Sequence, residues 1–365
     1  MAQEIPVENS ATLNKRSVGR RSFLKNGILA GGAAMGAGML NGTKGFSQQS
    51  KGGSLTKGDI AILRFVAAAE LLETDLWQQY AELGGITNGP MNSYQAAFQN
   101  LDSDGLQYIT SNTLDELSHA QFLNAYLESK GAEPVDLDRF RTLQGSRATG
   151  AQNVGRLTNL MNLNVDTSWF IRYRSTTNPD LGATFPQAIT ITNRTAIPIT
   201  DADFNNANHI QVIANTAAFH FGTIEQGGSS LYASLSRKVT SEEVLEITLG
   251  IGADEVAHFL EWVDFAGNAV QPPVAPVSNQ GLKFPNFLKD GPLFQPNLIF
   301  PVPCEFLSPN LPHCAIIRPL TDKFGGARAA AQFLTDMNLF AGQPNEFFAV
   351  LTAMADEADA AKRQS

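Results

Sequence analysis

Apolar residues recur at helical spacing in long stretches of this chain, separated by segments in which the pattern fails. From Ile60 to about Leu83 the positions Ile62, Phe65, Val66, Ala69, Leu72, Leu76 and Tyr80 form one stripe, with Thr56-Lys57-Gly58-Asp59 ahead to cap a helix and Gly84-Gly85 to stop it. After the turn residues Asn88-Gly89-Pro90, a second helix is predicted from about Ser103 to Lys130, ended by Gly131 and Pro134, with Ile109, Thr113, Leu123 and Tyr126 on one face. Residues 136 to about 206 break the rhythm. Within them 158–169 reads as a short helix, and 188–199 alternates apolar and β-branched residues as a strand or hairpin does. Helical spacing returns over 207–236 through Ile210, Ile213, Ala217, Phe221, Ile224 and Tyr232. A capping box, Thr240-Ser241-Glu242-Glu243, then opens a fourth helix through Leu245, Thr248, Phe259 and Trp262 to about Ala266, where Gly267 ends it. Residues 268 to 320 are rich in Pro, Phe and Asn and predict an extended wrapping segment, and two late helices follow, about 327–339 and 345–362. The expectation is an all-α four-helix bundle over 55–267 with an irregular or β insertion at about 136–206. A Pro-rich extension with two further helices occupies 268–365.

The informative residues are the polar ones on the apolar stripes, since burying a carboxylate without a partner is costly. Glu116 and His119 share a face of the second helix, and Glu255 and His258 share a face of the fourth. Three residues on an α-helix advance about 300° and rise about 4.5 Å, so each Glu-x-x-His makes two neighbouring ligands. The first and third helices add a further match: Ala69-Glu70 followed by Trp77 parallels Ile224-Glu225 followed by Tyr232. A helix pair is thus used twice, Glu and then Glu-x-x-His. This is the ligand set of carboxylate-bridged two-metal bundles, and it predicts Glu70, Glu116, His119, Glu225, Glu255 and His258 as ligands. Four carboxylates offset the charge of two divalent ions while two neutral imidazoles supply nitrogen, a mixed shell suited to iron or manganese. Glu73 also lies near the stripe, but its counterpart in the repeat is Gly228, so it stands as an alternative or supporting acid. Asp115 and Asp254 either accept from a ligand histidine on the neighbouring helix or lie on an exposed flank, and the flank is the favoured reading. Trp77 and Tyr232 are either core aromatics or redox-active neighbours of the metals. His220 reads as a packed or surface histidine, and His209 and His313 have no comparable context.

Composition narrows the class further. With 43% apolar and 17% charged residues the chain is globular rather than disordered, and a net charge of −9 leaves no basic stripe for nucleic acid beyond the first thirty residues. Those first residues have their own logic. Lys15, Arg16, Arg20, Arg21 and Lys25 precede the weakly apolar run from Gly27 to Leu40, which is too short and glycine-rich to span a bilayer comfortably. Gly19-Arg20-Arg21-Ser22-Phe23-Leu24-Lys25 resembles a bacterial twin-arginine signal, so residues 1–50 are expected to direct a folded protein to the periplasm or outside. Membrane contact is expected only through this segment, should it stay uncleaved. The two cysteines, Cys304 and Cys314, either close one small loop as a disulfide or remain free.

On Glu70, Glu116, His119, Glu225, Glu255 and His258 the chain resembles the ferritin-like superfamily, and more closely the exported bacterial ferritin-like proteins that include desiccation-related members. The resemblance covers roughly 57–130 and 207–267. It implies two bound divalent ions, iron or manganese, and an oxidoreductase acting on dioxygen or peroxide. The alternative is a non-catalytic stress or desiccation protein that keeps the bundle and binds metal weakly or not at all. An iron-storage cage fits less well, because the added segments would obstruct a simple shell.

Overall fold

The computed structural model describes residues 55–172, 186–292, 301–302, 310–312, 314–315 and 326–364. The predicted export segment, His313 and Cys304, and with it the Cys304–Cys314 pairing, lie outside the described residues. The long helices are α1 (Lys57–Gly84), α2 (Ser93–Leu101), α3 (Gly105–Ser129), α4 (Ala207–Leu235), α5 (Glu242–Asn268), α6 (Ala327–Asp336) and α7 (Asn345–Ala360). Between them run short antiparallel strand pairs: β1 (Leu163–Val165) with β2 (Ile191–Arg194), β3 (Val277–Asn279) with β4 (Leu282–Phe284), and β5 (Pro301–Val302) with β6 (Cys314–Ala315). The molecule is mostly helical, as the periodicity predicts.

Helix α1 starts where Thr56 Oγ1 accepts the Asp59 N–H at 3.0 Å and the Asp59 carboxylate accepts the Thr56 N–H at 3.4 Å. The same carboxylate accepts the N–H groups of Thr240 at 2.7 Å and Ser241 at 3.3 Å, so one buried acid fastens the start of α1 to the start of α5. The capping box expected at Thr240–Glu243 does not form: Ser241 occupies the cap position without a side-chain bond. Glu243 instead pairs with Lys130 and accepts from Tyr126 Oη at 2.8 Å, charge-assisted partners from α3 that a reach back to its own helix would forfeit.

Two further expectations need correction. Helix α2 lies where a turn region was predicted. It carries its own box, Asn92 with Gln95, two reciprocal bonds of 2.8 Å, and buries Tyr94, Ala97, Phe98 and Leu101 at helical spacing. The stretch 158–169 is not a helix. Asp75 on α1 accepts the N–H groups of Leu157 and Thr158 at 3.0 and 2.9 Å and the Thr158 hydroxyl at 2.7 Å, and the chain continues into β1. The strand expected at 188–199 is β2, which pairs with β1 rather than folding on itself. The Pro-rich segment likewise contains a hairpin, β3–β4, whose turn places Gln280 and Gly281 at φ of 47° and 81°.

Helix α1 packs along α3 and α4 along α5, with α7 against α1 and α6 against α7. The two pairs meet over an aromatic core. Trp77 stacks on Phe221 and on Trp262, with ring centroids 4.7 and 5.3 Å apart, contacts worth about 0.5–1.5 kcal/mol each beyond the area they bury. Among the described residues no helix is long and apolar enough to cross a membrane.

Candidate metal centre

Helical geometry delivers each ligand pair. Glu116 and His119 project from the buried face of α3, and Glu255 and His258 from the buried face of α5, while Glu70 comes from the middle of α1 and Glu225 from α4. Glu70 is 1% exposed and the other three carboxylates are wholly buried. The six side chains form two quartets whose candidate ligand atoms lie within 4.8 Å of one another. One is Glu70, Glu116, His119 and Glu255; the other is Glu116, Glu225, Glu255 and His258. Glu116 and Glu255 belong to both.

The imidazoles turn Nδ1 inward. His119 Nδ1 lies 3.4 Å from both Glu70 Oε2 and Glu116 Oε2, and His258 Nδ1 lies 3.1 Å from Glu116 Oε1 and 3.3 Å from Glu225 Oε2. Their outer nitrogens meet the two aspartates placed on the flank by sequence. His119 Nε2 is 3.2 Å from Asp254 Oδ2, and His258 Nε2 is 3.5 Å from Asp115 Oδ2. Each aspartate is about half-exposed, yet each reaches the histidine of the opposite helix, because the residue before a buried Glu sits about 100° round, beside the α3–α5 groove. A carboxylate close to the outer nitrogen, as Asp254 is to His119, favours the tautomer that presents Nδ1 and raises its basicity, whereas His258 Nε2 has Asp115 nearby but no hydrogen-bond partner.

A polar collar that the sequence reading did not single out holds the carboxylates. Asn112 Nδ2 donates to Glu116 Oε1 at 2.8 Å and to Glu225 Oε1 at 3.2 Å, and its own Oδ1 accepts from Trp262 Nε1 at 2.8 Å. The available sign was a polar residue four positions before Glu116 on the same stripe. Tyr232 Oη donates to Glu70 Oε1. Trp77 makes no such contact; it stacks in the aromatic core. Glu73 is buried but belongs to neither quartet. Its repeat counterpart, Gly228, acts by having no side chain: a Cβ there would stand 2.0 Å from Glu255 Oε2. His220 is fully buried against Tyr80, and His209 bonds to Asp203 and Asn279 at 2.9 Å each, outside both quartets.

The electrostatics follow from crowding acids away from water. Burial, offset in part by His119, pushes Glu70 up to about 7. Burial and the neighbouring carboxylates, Glu116 first, push Glu73 and Glu255 well above the usual range. Burial opposes charge on His119, but Glu116 and Glu70 outweigh it and raise it to about 10. His258 is raised further, as Glu225, Asp115 and Glu116 overcome the same penalty. Protons alone do not finish the site: Glu70 Oε2, Glu225 Oε2 and both oxygens of Glu255 are buried without a hydrogen-bond partner. Orphaned oxygens facing two inward imidazole nitrogens fit a pair of divalent cations, which the four carboxylates would neutralise.

The fold and these shared carboxylates define a helical bundle with buried acidic and histidine groups that could hold metal. The chain belongs to the ferritin-like domain family, whose model matches residues 58–262, more than half of it. No curated protein and no solved structure matches it.

Proposed function

We propose that the chain is an oxidoreductase that holds two ions of iron or manganese and acts on dioxygen or hydrogen peroxide. The observation that carries this reading is the sharing of Glu116 and Glu255 between the two quartets. Such sharing serves two adjacent ions, whereas an isolated structural ion needs only one quartet. When bound, the metal pair supplies Lewis-acid and redox chemistry toward a small oxygen species. The chain's own residues would do the rest. Glu116 and Glu255 would be shared between the two ions, Glu70 with His119 and Glu225 with His258 would complete the two halves, and Asp254 and Asp115 would orient the imidazoles. Asn112 and Tyr232 fix the carboxylates by donating to them, and the stacked Trp77, Phe221 and Trp262 keep water from the inner wall.

The test is metal analysis of the purified protein followed by oxygen and peroxide consumption. Two ions per chain, lost in Glu116→Ala and His258→Ala together with consumption, support the reading. Two ions with no consumption of either oxidant would refute catalysis and leave a non-catalytic metal-binding bundle.

We also propose that the chain is exported folded, by the twin-arginine route, to the periplasm or beyond. The pattern Gly19-Arg20-Arg21-Ser22-Phe23-Leu24-Lys25 before an apolar run supports this. Normal export after deletion of Arg20 and Arg21 would overturn it.

A further inference from the structure

We propose that Tyr80 is a one-electron donor to the metal centre, passing its phenolic proton to His220 while Trp77 and Trp262 carry the electron. This rests on the reading of the centre as a redox site and assigns to it a residue that binds no metal.

The pair is unusual as core packing. Tyr80 and His220 are both fully buried, and Tyr80 Oη lies 2.8 Å from His220 Nδ1. His220 Nε2 is also buried and has no partner. An orphaned buried polar group is destabilising, a cost that an apolar pair of the same shape would avoid. With the phenol as donor, Nδ1 is the acceptor and the ring proton sits on Nε2. Burial drives His220 down to about 3, so the ring is neutral and able to receive a proton throughout the neutral range. It is a weak base, but an oxidised phenol is a far stronger acid than a phenol, so the proton crosses the existing hydrogen bond. The other buried tyrosines differ. Tyr94 donates to the Ala196 carbonyl, which cannot take a proton, and Tyr232 donates to Glu70, itself a candidate ligand.

An aromatic path joins the pair to the quartets. The rings of Tyr80 and Trp77 have centroids 5.8 Å apart, and those of Trp77 and Trp262 5.3 Å. Trp262 then reaches Glu116 through Asn112 in two hydrogen bonds of 2.8 Å. Trp77 Nε1 is buried without a partner, so an oxidised Trp77 has no acceptor for its proton and can only recover an electron. The step balances. Dioxygen or hydrogen peroxide would be the electron acceptor at the site that the two quartets would hold. One electron leaves Tyr80 through Trp77 and Trp262 toward the quartets, the phenolic proton moves to His220 Nδ1, and a neutral tyrosyl radical beside an imidazolium remains. A surplus oxidising equivalent thus ends on a buried phenol rather than on the ligands.

Two measurements on the full chain test this. In metal-free protein, laser photo-ionisation of tryptophan followed by transient absorption should show the tryptophan radical decaying into a tyrosyl radical. The tyrosyl signal should be lost in Tyr80→Phe and Trp77→Phe and delayed in His220→Gln and in heavy water. In metal-loaded protein, freeze-quenching after hydrogen peroxide should give a tyrosyl radical by electron paramagnetic resonance that Tyr80→Phe abolishes without changing metal content. Tyr80→Phe keeps ring packing, and unchanged melting would confirm that it folds. A tyrosyl yield in Tyr80→Phe equal to wild type, or no tyrosyl radical after the flash, overturns the proposal. Failure to bind metal refutes the two-metal reading and the electron's destination, while the flash result alone decides the role of the Tyr80–His220 pair.

Discussion

Replacing Gly228 by alanine tests the shared-carboxylate geometry with a single methyl group. On an unstrained helix interior the change should be favourable, by about 0.5–1 kcal/mol, because alanine is the better helix former. At Gly228, however, the new Cβ would stand 2.0 Å from Glu255 Oε2 and 2.8 Å from Glu255 Cδ. Ordinary van der Waals contact begins near 3.4 Å, so the carboxylate must retreat by more than 1 Å. A metal ligand tolerates displacement of only about 0.2 Å, and Glu255 serves both quartets, so both ions should be affected by the one movement. In metal-free protein the Glu255 side chain can swing away, and the fold should be as stable as wild type or slightly more so. Added metal at about a hundred times its dissociation constant stabilises a native state by about 2.7 kcal/mol; that gain should be lost in Gly228→Ala. Gly250→Ala is the control, since a Cβ there meets nothing within 4 Å. The assays are thermal melts with and without iron(II) or manganese(II), and metal content by mass spectrometry. A Gly228→Ala protein that binds two ions per chain with wild-type affinity would refute the placement of Glu255 as a shared ligand.

Asp254→Ala should free the outer nitrogen of His119 and weaken metal binding by about 10–100-fold, read by competitive metal titration. Tyr232→Phe leaves Glu70 Oε1 without its donor and should cost the metal-free protein about 1–3 kcal/mol in a urea melt, less if the carboxyl is protonated. Asp59→Ala removes the carboxylate half of the α1 capping box and the acceptor for Thr240 and Ser241; it should lower stability by about 1–3 kcal/mol while leaving metal stoichiometry at wild-type values. For pH, Glu70 and His119 are both raised in the folded chain, so both bind protons more tightly than in the unfolded one. Stability of metal-free protein should therefore fall as pH rises, from about 4.5 to about 7 through Glu70 and from 6.5 to about 10 through His119. Metal uptake should release protons over the same range, a pH-stat measurement; uptake with no proton release would contradict the assignment.

What could be read along the chain and what could not divides by range. Glu116 with His119 and Glu255 with His258 were legible because helical spacing fixes their relation before any tertiary contact exists. The long helices were legible for the same reason, and α2 carries its own local signal in the Asn92–Gln95 box that follows the turn residues. The segment 158–169 was not, because its backbone groups are claimed by Asp75 far away on α1. The same holds for Asp59 at Thr240, and for Asp254 and Asp115 across the α3–α5 groove: a half-exposed aspartate looks like any solvated flank until the opposite histidine is in view.

The internal repeat shows the limit most sharply. It pairs Glu70 with Glu225 and thereby pairs Glu73 with Gly228, which by sequence alone reads as an acid gained on one side. In three dimensions the important member is the glycine. The space it leaves is the space Glu255 occupies, whereas Glu116 meets the charge of Glu73 on its side, the strongest like-charge neighbour that Glu73 has. The two shared carboxylates are therefore not equivalent. Glu73 crowds both, but Glu116 is held by Asn112, while Glu255 has no hydrogen-bond partner on either oxygen and a bare backbone beside it. Of the two, Glu255 is the one that would be free to change how it binds metal as the charge between the quartets changes, and it is the carboxylate that a methyl at Gly228 would meet first.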